Sequence, residues 1–520
     1  MNNLFRTAKR AFLTLSASLA LGMLAYSLVN AIPTTSINHS QPKWPWKRIE
    51  KSPDYPVHGS AFPRNFIWST GTSAYQVEGN CNNSTYAHWT KGELYQEPAG
   101  IGCDHEHRYK EDIDSMAKQV GTNAYRFSLE PSKVMPAPGQ FNQEELDRYA
   151  DMCVTMINNG IRPIIGLHHY SDPQWFMDKG GFEKAENIPF FVNYFVTVFR
   201  NLHPACLKAI TQRTDLTKEQ QAQLLPIYMT FNSPTSYAAS GYQQGHRPPG
   251  RKGDLLAMAT VIKNMLETHV QFFQKVTTEE EDPTRTACIG ITHNIYPLEP
   301  HMYYNPIDHL LCYIARRIAH DCFINFFTTG KFESSIFGFF KVTHTNRLAP
   351  KSLHIIGVNH YSHGKLGLTS LKPTADPTET PTDNPNYTIA PESKYHSLVD
   401  ISERLAKKLH IPIIVTETGI GTHGDGPEDH KLRTTFLQKD LYAVLAAIKA
   451  GHPIIGYSVW SFMNNYEWGV YKVKRYGLVH IDRETLDPKT GKPTLTRTLK
   501  PSAYFYRDLI KQNRENSNQR

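Results

Sequence analysis

A chain of 520 residues has room for two or three average domains or for one large α/β barrel with insertions. Its hydrophobic content of 40% and aromatic content of 11% supply a sizeable core and exclude wholesale disorder. The formal net charge is +8, but part of the excess sits near the N-terminus, in Arg6, Lys9 and Arg10 and again in Lys43, Lys47, Arg48 and Lys51. The rest is spread thinly, with no basic stripe interleaved with aromatics, which argues against a nucleic-acid partner.

In chain order, the basic residues at positions 6 to 10 precede an apolar run from Ala11 to Val29, and Val29-Asn30-Ala31 offers small residues for cleavage. Residues 1–31 therefore read as an export signal. The run is also long enough to span a bilayer, so attachment to a membrane through residues 11–29 is the alternative. Either way the bulk of the protein is expected outside the cytoplasm, exported to a periplasm or secreted. Residues 32–63, rich in Pro, Ser and Lys, read as a linker, and 516–520 as a disordered tail.

From residue 64 to 515 short apolar runs alternate with helical periodicity. The predicted strands are Phe66–Ser69, Ala124–Ser128, Pro163–Leu167, Ile227–Phe231, Ile289–Thr292, Ile355–Asn359, Ile413–Thr416 and Gly456–Trp460. The predicted helices include Gln143–Asn159, Ile188–Leu202, Leu255–Gln274, Lys431–Ala450 and Pro501–Gln512. This alternation predicts an α/β fold, a single (β/α)8 TIM barrel with long βα loops, among them a mobile Leu371–Ser393 after the sixth strand. Polar and aromatic residues follow every strand: Gln76 and Glu78, Arg126, His168 and His169, Asn232, Asn294, Tyr361, Glu417 and Trp460. A barrel gathers eight such ends on one face, where active sites of this fold lie.

The seven cysteines show no CxxC and no zinc-like spacing, so no metal or other cofactor is indicated. Cys81 and Cys103 share an early loop region and are the expected disulfide, while Cys153, Cys288 and Cys312 read as core thiols. Asn38, Asn82, Asn83 and Asn386 are N-glycosylation acceptors if the chain passes through a eukaryotic secretory pathway.

Glu417 is the one carboxylate that ends a buried-looking strand with a glycine close behind. A retaining glycosidase needs such a group as nucleophile, with a second carboxyl about 5 Å away to protonate the leaving oxygen. Arg126 would favour the ionised form, and Tyr361 would donate a hydrogen bond to it.

Phe66-Ile67-Trp68, Tyr75-Gln76-Val77-Glu78-Gly79, Tyr125-Arg126-Phe127-Ser128 and Val415-Thr416-Glu417 resemble the signatures of glycoside hydrolase family 1. So do Trp460-Ser461, Asn465-Tyr466-Glu467-Trp468 and Arg475-Tyr476-Gly477-Leu478. The resemblance covers about residues 60 to 512. That family contains β-glucosidases, β-galactosidases, 6-phospho-β-glycosidases and plant thioglucosidases. The resemblance implies that Glu417 is the nucleophile. It also implies that Gln76, His169, Asn232, Glu467 and Trp468 hydrogen-bond the non-reducing sugar, and that Trp460 is the aromatic floor beneath it. The carbohydrate chemistry agrees, since sugars offer hydroxyls to bidentate side chains and a C–H face to indole.

The departures matter as much. The family's Asn-Glu-Pro is here Asn232-Ser233-Pro234, so Ser233 stands where the acid/base belongs. A serine is too weak an acid to replace it, and general acid catalysis is worth about 10²- to 10⁴-fold. Asp172, Glu130 and Glu299 are the stand-in carboxylates nearest by loop order. The family's His-Trp-Asp-Leu-Pro appears as His169-Tyr170-Ser171-Asp172-Pro173, Asp-Asn as Asn464-Asn465, and Gly-Tyr as Tyr471-Lys472. Lys474 and Tyr476 match phosphate-holding positions of the 6-phospho-glycosidases, but Glu467 would repel a phosphate and favours an unphosphorylated glucose-like sugar.

The resemblance thus implies retaining hydrolysis of O- or S-linked β-glycosides through a glycosyl-Glu417 intermediate, restricted to good leaving groups. A carbohydrate-binding pseudoenzyme and a transglycosidase are the alternatives.

Overall fold

The computed structural model describes residues 57–518 apart from 90–96, 279–286, 296, 337–338, 362–363, 368–390 and 470–473. The expected export signal, most of the linker, the Leu371–Ser393 loop up to residue 390, and Tyr471-Lys472 lie outside the described residues.

Eight parallel strands close a barrel: Ile67–Gly71, Ala124–Ser128, Arg162–Gly166, Ile227–Asn232, Cys288–Asn294, Ile355–Asn359, Ile413–Thr418 and Ile454–Trp460. Each pairs with its successor, and the eighth pairs with the first, Ile67 opposite Gly456 and Gly71 opposite Trp460. The strands are buried on both faces, which is why they read as continuous apolar runs. Inside the barrel, Ile67, Ala124, Ile164, Ile227, Met229, Ile355 and Ile414 form one apolar plug. The period of two then carries Arg126 (two past Ala124) and Asn359 (four past Ile355) to the same inner side, nearer the C-terminal ends.

Glu417 and Asn232 have the wrong parity for this, being an odd number of residues past Ile414 and Met229. Bulges correct both. The pairing of the seventh strand slips between Val415 and Glu417, and that of the fourth between Met229 and Asn232. Such slips re-aim side chains at barrel rims.

Helices surround the barrel, burying one face each. Gln143–Asn158 buries Leu146, Tyr149, Met152, Cys153, Met156 and Ile157, at helical spacing, and Asn142 caps it by accepting from the backbone of Glu144 and Glu145. Ile188–Gln212 runs well past the expected end at Leu202. Pro204 lies inside it, and the buried face continues through Cys206, Ala209 and Ile210, so packing outweighs the lost backbone hydrogen bond. The last helix, Pro501–Asn518, also outruns its expected end and extends into the expected tail.

The packed structure begins before residue 64. Gly59–Ala61 form a 3-10 turn, Phe62 is buried, and Asn513 Nδ2 donates to the carbonyls of Gly59, Phe62 and Pro63. A Cβ on Gly59 would lie 1.7 Å from the Leu509 carbonyl, so only glycine allows this approach. The expected Cys81–Cys103 disulfide is corrected: both thiols are free and buried, Cys81 turned to the Gly79 carbonyl and Cys103 to that of Asn464. Among the described residues no helix is long and apolar enough to cross a membrane, and no group of three or more His, Cys, Asp or Glu is placed to hold a metal ion.

Candidate active site

The strand ends converge on Glu417. Its Oε1 accepts from Arg126 Nη1 at 2.6 Å and its Oε2 from the Tyr361 hydroxyl at 2.8 Å. Both side chains of the ion pair are almost wholly buried, 3% and 6% exposed, so the charges act in a low-dielectric setting where they are strongly felt. Burial, and then the charge of Glu417, pushes the Tyr361 phenol well above its usual range and keeps it a donor.

Arg126 also reaches across two strands. Its Nη2 donates to Asn232 Oδ1 at 2.9 Å, and Asn359 Nδ2 donates to the same oxygen at 2.8 Å. Thr416 Oγ1 in turn donates to Asn359 Oδ1. With both lone pairs of Asn232 Oδ1 occupied, its Nδ2 faces His169 Nε2 at 3.1 Å. That contact assigns Nε2 as acceptor and leaves the imidazole proton on Nδ1. Burial, then the Arg126 charge, pushes His169 well below its ordinary value, so it stays neutral. A neutral imidazole and an amide are the groups that hydrogen-bond a sugar hydroxyl without adding charge.

Beyond the first and eighth strands, Gln76 Nε2 donates to the Tyr466 carbonyl at 2.7 Å and lies 3.3 Å from Glu467 Oε2. Burial pushes the Glu467 carboxyl up to about 7, against the charges of Arg247 and Lys474. Trp460 and Trp468 both stack on His169, with centroids 5.5 and 6.0 Å away. Tyr476 packs edge-on to Tyr361. The loop after Glu417 is tied down by Asp425, which accepts from Arg433, Arg475, His480 and Lys500.

Ser233 caps the fourth strand at φ 49°, fully buried, with Asn359 Nδ2 3.4 Å from its Oγ. Asn294 stands in register with Asn359 on the neighbouring strand and donates to Ser236 Oγ at 3.1 Å. Of the three stand-in carboxylates, Asp172 and Glu299 are committed elsewhere and Glu130 is engaged through one oxygen. Asp172 already accepts from His168 Nε2 at 3.0 Å and from the Tyr237 hydroxyl at 2.7 Å. Glu299 is exposed on a two-stranded ribbon with Gly364–Leu366. Glu130 accepts from Ser132 and Ser171 through Oε1, while its Oε2 is buried without a partner.

Burial pushes Glu130 from 4.5 up to about 7. A raised folded-state value contributes stability below the unfolded value that is lost as pH climbs through the folded one. Glu130→Gln is therefore expected to gain about 3 kcal/mol relative to the parent between pH 4.5 and 8. Denaturant unfolding of both proteins across that range measures it; a pH-independent difference would contradict the assignment. Glu467 pulls in the same direction in both proteins and cancels.

Two pocket residues escaped the sequence reading. Asn359 ends the sixth strand two residues before the better-advertised Tyr361. Arg247 lies far along the loop after the fourth strand, yet its guanidinium stands 5.0 Å from the Tyr170 ring centroid and 5.1 Å from that of Trp468. A lone arginine between His246 and Pro248-Pro249 carries no signal short of the fold.

A closed parallel barrel with a clamped strand-end carboxylate, amide and imidazole donors and stacked indoles defines a glycoside-processing site. The chain belongs to glycosyl hydrolase family 1, whose model matches residues 58–515. Beta-glucosidase A of Acetivibrio thermocellus is 28% identical over 491 residues, covering 87% of this chain and 98% of the relative. The aryl-phospho-beta-D-glucosidase of Bacillus subtilis is 27% identical over 511 residues, covering 88% and 99%. Among solved structures, a beta-glycosidase from Pyrococcus horikoshii superposes with a TM-score of 0.70 at 26% identity, covering 88% of this chain and 96% of that one. Glycoside hydrolysis is the chemistry of the family.

Proposed function

We propose that the protein is a retaining β-glycosidase acting on O- or S-linked β-glycosides of a glucose-like sugar whose leaving groups depart without full protonation. The observation that carries this reading is the Glu417 carboxylate held by Arg126 and Tyr361 at 2.6 and 2.8 Å. A protein that only bound sugar would have no use for a buried, oriented nucleophile, because removing a charge pair from water is costly. Glu417 attacks C1 as the aglycone leaves, giving a glycosyl-Glu417 ester; water then resolves it with inversion at C1, so the product is retained. Gln76, His169, Asn232 and Glu467 bind the sugar hydroxyls, and Trp460 and Trp468 the ring. Glu467 favours a sugar with free O4 and O6 over a phosphorylated one. The basic and apolar N-terminal residues support action outside the cytoplasm.

The test is azide. It needs no general base, so with an activated β-glucoside it should intercept the glycosyl ester and yield the β-glucosyl azide. Formation of the α-azide, or of no azide adduct while substrate is consumed, would sink the retaining mechanism.

A further inference from the structure

Ser233 brings no carboxyl to the pocket, and a second hydroxyl-bearing side chain stands beside it. Tyr170 follows the third strand at φ 66°, in the left-handed region that bulky residues rarely adopt. This conformation turns its ring into the pocket, edge-on to His169 at 5.2 Å and to Trp468 at 5.4 Å. The hydroxyls of Ser233 and Ser236 stand beside its phenol and favour the ionised form, against the effect of burial. Ser236 is itself oriented by Asn294, whose Nδ2 donates to its Oγ at 3.1 Å. That leaves the serine proton free to point at the phenol. Above the ring stands the Arg247 guanidinium, 5.0 Å from its centroid. The pocket thus holds a phenol with two serine hydroxyls beside it and a cation over its face, groups that can stabilise a developing phenolate.

We infer that Tyr170 is the acid/base residue of this enzyme, its phenol oxygen taking the part that the missing carboxyl at position 233 would play. The inference rests on the retaining mechanism proposed above. In the first step Glu417 forms a bond to C1 while the C1–O bond breaks, and the Tyr170 proton passes to the departing oxygen. In the second, water bonds to C1 as the C1–Glu417 bond breaks, and its proton returns to the Tyr170 phenolate. The proton count closes over the cycle, and no further reactant is needed. Burial holds the phenol protonated, while Arg247 opposes that shift. His169, Tyr86, Arg247 and Glu417 are the ionisable groups that face it. Proton transfer is most efficient between partners of matched acidity. The substrate class that fits a phenol donor is therefore the aryl β-glycosides, which leave as phenols and whose ring can lie against Tyr170, Trp468 and Arg247.

The experiment is kcat/KM for a series of aryl β-glucosides of graded leaving-group pKa, in the parent, Tyr170→Phe and Tyr170→Trp. Tyr170→Trp keeps a large aromatic if Tyr170→Phe folds poorly. The expected result is a loss that grows along the series, small for dinitrophenyl and about 10²-fold for unactivated phenols, with a steeper leaving-group dependence in both variants. A loss equal for every substrate, or no loss, would overturn the assignment, since a packing role does not depend on the leaving group. Inactivation of each variant by an activated 2-deoxy-2-fluoro-β-glucoside separates the two claims. Labelling with an unchanged leaving-group slope leaves the retaining mechanism standing and removes Tyr170. No labelling of the parent removes both.

Discussion

Ser233→Glu will raise kcat/KM toward β-glucosides of alcohol leaving groups by about 10²- to 10⁴-fold, the range that general acid catalysis contributes. The backbone is already prepared for it. Ser233 stands between Asn232 and Pro234 at the end of the fourth strand, and a longer side chain meets no new constraint at its Cβ, since serine already has one at φ 49°. A carboxyl placed there would share a buried pocket with the Glu417 carboxylate. Two like charges in one site cannot both ionise easily, so the new group would stay protonated above the ordinary carboxylate range. A carboxyl in that state is a far stronger acid than the Tyr170 phenol. Dinitrophenyl glucosides, which need no proton, should gain little. A variant that folds and turns over dinitrophenyl substrate but gains nothing on alkyl glucosides would contradict the account.

Much of this was legible in the chain. Every barrel strand was located from its apolar run, because strands buried on both faces leave an uninterrupted hydrophobic signature, and Ile355–Asn359 was bounded to the residue. The end of Ile188–Gln212 was not, because proline is a local stop signal and the packing that overrides it is not local. The same division holds in the site. Glu417, Arg126, Tyr361, Asn232 and His169 are adjacent to strand ends and were found there. What turns Glu417 and Asn232 inward is a pair of bulges, and a bulge shows only in the pairing between strands. Tyr170 was visible as an aromatic retained beside His169, but its contact with Ser233 and the cation above it needed the third and fourth strand loops to be folded together.

On the retaining mechanism proposed above, Glu417→Gln will abolish hydrolysis, with a loss on the order of 10⁶-fold, because the group proposed as nucleophile is removed. The amide is nearly the same size; its oxygen can still accept from Arg126 while its NH2 donates to the Tyr361 oxygen, so the pocket should persist and sugar binding with it. What disappears is the carboxylate proposed to bond to C1. The substitution also leaves Arg126 without its counter-charge, a cost of about 3–5 kcal/mol for a buried pair broken from one side, so folding should be checked by unfolding transitions alongside.

The most direct measurement is intact mass after incubation with an activated 2-deoxy-2-fluoro-β-glucoside, parent against Glu417→Gln. The parent is expected to gain the mass of one fluoroglucosyl group, mapped to the peptide containing Glu417, and the variant none. A parent that binds the sugar but takes up no label, or a label carried on another residue, would contradict the claim that Glu417 is a working nucleophile.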